Sequence, residues 1–315
     1  MRRGPWFAML VCTAGCSGGE SGSTESFLTG LPSRQTLEVT APSAAAPAAL
    51  TSRSAEQLGQ TADLYVLTRK VTSDVNGIVG SALDTLGAIT HSPPDAVAPD
   101  MAAWGPLTDA LSPVAGRLVV QRVGPGAFTF RLDLRPRAAP DSKFETFLQG
   151  ASSGARPAGP SDGSFSADLS LAHRLDPVAN PSDGQLVAGW TIRPDQREVH
   201  VHLADLQSGT ELASTAELGS VRRADGSGEL GVDVHANLVG DPALLETGRV
   251  RSRWAPSGAG RADVEVHDGD APNGAMITEC WDASFAQVYA LGTAPDGGVA
   301  SEGEVSACAF SDPLR

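Results

Sequence analysis

The chain has 315 residues, 41% of them apolar and 19% charged, with a net charge of −14 at neutral pH. The apolar share supplies a core and excludes wholesale disorder, although aromatics at 5% leave Val, Leu and Ala to build most of it. The acidic surplus repels phosphate backbones and excludes nucleic acid as a partner, and no apolar run nears the about 18 residues of a membrane-crossing helix.

The chain starts Met1-Arg2-Arg3, continues with the apolar stretch from Pro5 to Val11, and then reads Thr13-Ala14-Gly15-Cys16. A charged start, an apolar middle and a small-residue end resemble a bacterial lipoprotein signal peptide. That resemblance implies removal of residues 1–15 and lipidation of Cys16, the membrane being reached through this anchor. Ser17, where an Asp would imply inner-membrane retention, implies the outer membrane, on its periplasmic face or at the cell surface. Several acyl chains on one cysteine hold a protein firmly, because each buried CH₂ contributes about 0.8 kcal/mol.

Residues 16–53 are expected to form a flexible tether and linker, Ser/Gly-rich from Ser17 to Thr24 and Ala/Pro-rich from Ala41 to Pro47. Residues 54–92 predict one long amphipathic helix. Leu64, Leu67, Val71, Val75, Ile78, Ala82, Leu86 and Ile89 recur at spacings of three and four and form one stripe. Ser54 and Gln57 offer a capping box, and Pro93-Pro94 is a stop signal. Gly77, Gly80 and Gly87 each cost about 1 kcal/mol against Ala, so the helix depends on packing against something else.

From about residue 116 the apolar period falls to two. Phe128, Phe130, Leu132 and Leu134 alternate with polar residues, as do Phe165 to Leu171, Leu186 to Ile192, Val199 to Leu203, Val232 to Ala236 and Ala262 to Val266. Such runs predict antiparallel strands with one wet and one buried face. Gly124-Pro125-Gly126, Arg193 to Gln196, Asp225 to Gly228 and Ser257 to Gly260 fall between runs, which predicts a meander of about nine to eleven strands. Arg249, Arg251 and Arg253 share one face between acidic partners, Asp233 before and Asp263 and Glu265 after, which predicts the pairing order.

The expected fold is therefore mainly β (α+β). A large curled antiparallel meander over residues 93–315 packs on one long N-terminal helix as a single folding unit. This architecture resembles the half-barrel around a helix of periplasmic lipoprotein carriers. The chain also resembles the large outer-membrane lipoproteins of myxobacterial type, on Thr13 to Cys16, Gly163-Ser164-Phe165, Leu175-Asp176-Pro177 and Glu279-Cys280-Trp281-Asp282. These motifs imply an address and a build, and they carry no activity.

Outside the cytoplasm Cys280 and Cys308 are expected to form a disulfide, since neither has another partner once the leader is removed. Closing that loop contributes about 3–4 kcal/mol. Trp281, beside Cys280, is expected to pack on the bond.

Four constellations in the sequence bear on chemistry. Gly150-Ala151-Ser152-Ser153-Gly154 fits a nucleophile-elbow pattern, but the Pro- and Gly-containing stretch after it cannot be the required helix, so it reads as a flexible loop. His200 and His202, with His235, are weak metal candidates on a wet strand face. Asp268-Gly269-Asp270 and Asn273-Gly274 carry calcium-like oxygens but read as a turn. Trp190 and Trp254 fall in phase with the core. The expectation is a non-enzymatic, lipid-anchored cell-envelope protein with a structural or interaction role, without cofactor. The alternative is a carrier or sensor holding an apolar ligand or lipid between sheet and helix, at residues the sequence does not identify.

Overall fold

The structure, a computed structural model, describes residues 24–42, 58–108, 112–154, 159–209, 211–238, 240–241, 243–294 and 296–314. Among these are fifteen strands: β1 (Ala96–Ala98), β2 (Met101–Leu107), β3 (Val114–Gly124), β4 (Ala127–Pro136), β5 (Glu145–Gly154), β6 (Ser161–Asp168), β7 (Ser182–Ile192), β8 (Gln196–Ser208), β9 (Ser214–Arg223), β10 (Gly228–Ala236), β11 (Glu246–Trp254), β12 (Gly260–Asp268), β13 (Ala271–Trp281), β14 (Gln287–Thr293) and β15 (Val299–Gly303). Four helices join them: α1 (Thr24–Leu28), α2 (Arg34–Leu37), α3 (Asp63–Thr90) and α4 (Leu169–Leu175).

The strands pair antiparallel in chain order from β1 to β15, one meander that does not close. All four turns read from the sequence join neighbouring strands. The register also follows the charge pattern: Arg249 stands opposite Asp233 on β10 and opposite Glu265 on β12. Its guanidinium donates to Asp233 at 3.0 Å, and Arg251 reaches the same carboxylate at 2.8 Å.

One sheet face is mainly apolar. Phe128, Phe130 and Leu132 of β4, Leu186 and Trp190 of β7, Val199 and Val201 of β8 and Leu230 of β10 are buried in one cluster with Val75, Val79, Leu83 and Leu86 of α3. The helix packs on β12 and β13 near its start and on β2 and β3 near its end. Mid-sheet, β7 is met by α2 and α4, and α2 also packs on α3. The sheet therefore bows away from α3 in the middle, and the short helices fill the gap.

Three tryptophans are seated on glycines. Trp190 stands opposite Gly163, Trp254 opposite Gly228 and Trp281 opposite Gly260, each across a pair of neighbouring strands. A Cβ on any of these glycines would collide with the facing indole. Because β7, β11 and β13 run in the same direction, all three rings lie toward one rim of the concave face.

Several expectations are corrected. Among the described residues the strands number fifteen, not about nine to eleven; β1, β2, β14 and β15 show no clean apolar alternation, β2 containing Gly105-Pro106 and β14 being half-buried along nearly its whole length. The run from Phe165 to Leu171 is not one strand. It stops at Asp168, whose carboxylate accepts the Leu171 N–H at 3.0 Å and caps α4. Residues 24–42 are no tether: Phe27, Leu37 and Val39 are buried in the main core, because an aromatic and two aliphatics gain more inside than in solvent. The long helix starts at Asp63, not at residue 54. Residues 59–62 are pinned to the chain beside β14, where Gly59 and Ala62 donate to the Gln287 and Phe285 carbonyls. Ser54 and Gln57 lie outside the described residues.

Candidate functional site

At the end of α3, near β2 to β5, the two layers do not meet fully. A cleft of about 510 Å³ remains there. Ile89 of α3, Leu107 of β2, Val114 of β3, Leu134 of β4 and Phe147 of β5 form its apolar floor. Ala88, Ala172 and Ala179 contribute small side chains to its walls. The volume falls within the range of small-molecule sites, and the lining combines an apolar floor with several polar groups.

The cleft is also lined by Thr85, Ser92, Thr108, Ser112, Asp176 and Asn180. Ser112 Oγ accepts the Val114 N–H at 3.1 Å. Asp176 Oδ1 accepts the Ala179 N–H at 3.1 Å, and His173 Nδ1 lies 2.7 Å from the Asn180 carbonyl, so the loop after α4 is tied back on itself. In that loop Val178, between the lining residues Asp176 and Ala179, is 92% exposed. No sequence pattern marked this site, because its residues come from α3, α4 and four strands and none is unusual alone.

The residues singled out from the sequence lie elsewhere. Cys16 is outside the described residues. Cys280 and Cys308 form the expected disulfide, Cα to Cα 5.3 Å, across a separation of 28 residues. Trp281 does not pack on it, because successive strand residues face opposite ways. Cys280 points outward, while the Trp281 ring lies inside against Tyr65 at 5.8 Å and donates to the Gly258 carbonyl at 2.9 Å. The disulfide instead ties the chain end over the outer face, where Arg261 Nη1 donates to the Ser311 carbonyl at 2.6 Å and Arg253 sits 4.4 Å over the Phe310 ring.

His200 and His202 are on the outer face of β8, and His235 is two strands away on β10. His202 Nδ1 stands 3.4 Å from Glu217, and His235 Nδ1 3.5 Å from the Thr247 hydroxyl. Among the described residues no three His, Cys, Asp or Glu side chains gather as metal ligands. Ser152, central in the nucleophile-like motif, lies in strand β5 and not in a loop. Its hydroxyl faces inward and donates to the Gly30 carbonyl at 2.6 Å. Asp268 and Gly269 make the turn between β12 and β13 with positive φ values of 69° and 49°.

Two buried carboxylates escaped the sequence reading. Glu246 accepts the Leu238 N–H at 2.7 Å and the Asp270 N–H at 3.0 Å, joining two loops at one rim. Glu279 on β13 accepts the Leu64 N–H at 2.6 Å and caps α3, whose own N-cap residue, Ala62, has no side-chain acceptor. Burial pushes the Glu279 carboxyl up to about 7; the Asp63 charge adds to this, and the backbone N–H donors oppose it. Glu279 stands opposite Ala262 on β12, and a cap supplied from 215 residues away leaves no local pattern in the sequence.

No family model, curated protein or solved structure matches the chain.

Proposed function

We propose that the chain is a lipid-anchored protein of the outer membrane, held through Cys16, whose sheet-and-helix domain acts by binding and not by chemical turnover. What it binds is apolar, an acyl chain or a comparable hydrocarbon, received in the cleft at the end of α3. The observation that supports this reading is the cleft itself, about 510 Å³ with an apolar floor. A floor without charge favours hydrocarbon over polar ligands. The short helices that complete the core elsewhere leave this one end unfilled.

The test is a titration of the full chain with a fluorescent polyunsaturated fatty acid, together with native mass spectrometry before and after organic extraction. Saturable binding that is lost in Ala88→Trp, where an indole would fill the cleft, is the expected result. A protein that emerges without lipid and does not take up the probe overturns the reading. The anchor is tested separately: labelled palmitate is expected to enter the native chain and not Cys16→Ser.

A further inference from the structure

We infer that the tryptophan rim carries a second site, which binds a phosphoryl group borne on a hydroxylated carrier. The site is a cavity of about 610 Å³ between α3, the segment 38–42 and the turns that follow β9, β11 and β13. Arg69 of α3 and Arg222 at the end of β9 both line it, with Thr40 and Ser73 adding hydroxyls. By α-helical rise, Ser73 lies about 22 Å along α3 from Ala88, so this cavity is separate from the apolar cleft.

The charge arrangement points to an anion. In this acidic chain the arginines at 34, 117, 131, 135, 174, 223, 249, 251 and 261 each have a carboxylate partner. Among the described residues Arg69 and Arg222, which line the cavity, form no ion pair; neither do Arg122, Arg193 and Arg253 elsewhere, nor Arg197, which lies outside the lining and donates to the Gln35 carbonyl at 2.8 Å. Arg197 and Arg222 moreover stand directly opposite each other on β8 and β9. Like charges at such a position destabilise a sheet, and a bound anion would relieve that repulsion. Nearby acids are engaged elsewhere: Asp225 accepts from Ser227, and Arg223 holds Glu229. Among the described residues, Glu38 is the one carboxylate in the cavity wall.

The site is also built. Arg69 donates to the Tyr65 hydroxyl at 3.3 Å and lies 5.8 Å over its ring. Tyr65 stacks on Phe285 at 4.5 Å. Phe285, itself in the cavity wall, holds φ at 65°, a backbone conformation that bulky residues rarely adopt and that concentrates at functional sites. Guanidinium forks match tetrahedral oxyanions in a bidentate way. The cavity is larger than a bare phosphate needs, and its hydroxyls suit a sugar or polyol carrier. Such a group can come from a free phosphorylated sugar or from a glycerophosphoryl lipid headgroup.

The test uses the full chain carrying Cys16→Ser, so that no anchor binds lipid on its own. Calorimetric titration with glycerol 3-phosphate and with glucose 1-phosphate at low salt is expected to show saturable binding to at least one. Arg69→Gln and Arg222→Gln should each weaken it at least tenfold, Glu38→Gln should tighten it, and Lys70→Gln, on the same helix but paired with Asp74, should leave it within twofold. Circular dichroism confirms that each variant is folded. Sedimentation with phosphatidylcholine vesicles, with and without phosphatidylglycerol, separates the sources. Co-sedimentation that needs phosphatidylglycerol and Arg222 assigns a headgroup, whereas binding of the soluble esters alone assigns a free ligand. Absence of binding in every arm, or binding indifferent to both arginine substitutions, overturns the site.

Discussion

The two rims of the concave face are made by the same sheet and closed by the same helix, yet they are packed in opposite ways. At one rim Trp190, Trp254 and Trp281 each lie over a glycine on the neighbouring strand, and the start of α3 is locked there by Tyr65 and by the Glu279 cap. At the other rim, alanines of α3, α4 and the following loop face aliphatic strand residues, and a cleft remains. Large against small fills space, and small against medium leaves it. Both rims therefore keep a cavity, framed at the first by rings locked over glycines and charged side chains, and at the second by small and aliphatic ones.

That contrast can be broken from the locked side. Trp254→Ala is expected to cost the most, about 3–5 kcal/mol, because it empties a volume that no neighbour can refill; chemical denaturation measures it, and a loss below 1 kcal/mol would show that the rim is not locked. Cys308→Ser comes next, about 3–4 kcal/mol for a 28-residue separation, and it also frees the chain end that covers Arg253 and Arg261. Reduction of the native protein should give the same loss of stability.

The helix cap titrates. Glu279 ionises at about 4.5 when unfolded and at about 7 when folded, so the folded state holds the neutral form more strongly. Its contribution is complete below pH 4.5 and is lost as the pH rises through 7, which amounts to at most about 3 kcal/mol. Asp233 and Asp282, lowered by their arginine and hydroxyl partners, change stability only in the acid range below their ordinary 3.8. Melting curves between pH 5 and pH 8 therefore isolate Glu279. The native protein is expected to melt lower at pH 8, and Glu279→Gln should flatten the profile while keeping an acceptor for Leu64.

The division between what was legible and what was not follows contact range. Period-two alternation and turn residues at 124–126, 193–196, 225–228 and 257–260 report on neighbours in sequence, and a meander is made of neighbours. The Arg249–Asp233 pairing was legible for the same reason. The burial of Phe27 and Leu37, the Glu279 cap and both cavities depend on residues far apart in the chain, and a local pattern carries no trace of them. The glycine-over-tryptophan seats lie between these cases. Gly228 and Trp254 are one hairpin apart, so the register, once drawn, already places the glycine under the ring.

The smallest effects sharpen the comparison most. Gly228→Ala adds a single methyl at the locked rim, where it would meet the Trp254 indole, and is expected to cost about 1–3 kcal/mol. Ala88→Trp adds a whole indole at the other rim, where residue 88 is exposed on α3 and lines the cleft, and is expected to change stability by less than about 0.5 kcal/mol. The larger intrusion is thus predicted to be the milder one. If denaturation midpoints instead rank the two substitutions by added volume, the cleft is as tightly packed as the tryptophan rim and has no room for a ligand. If they rank as predicted, Ala88→Trp is a stable, folded variant, and its loss of fatty-acid binding can be ascribed to occupancy of the cleft.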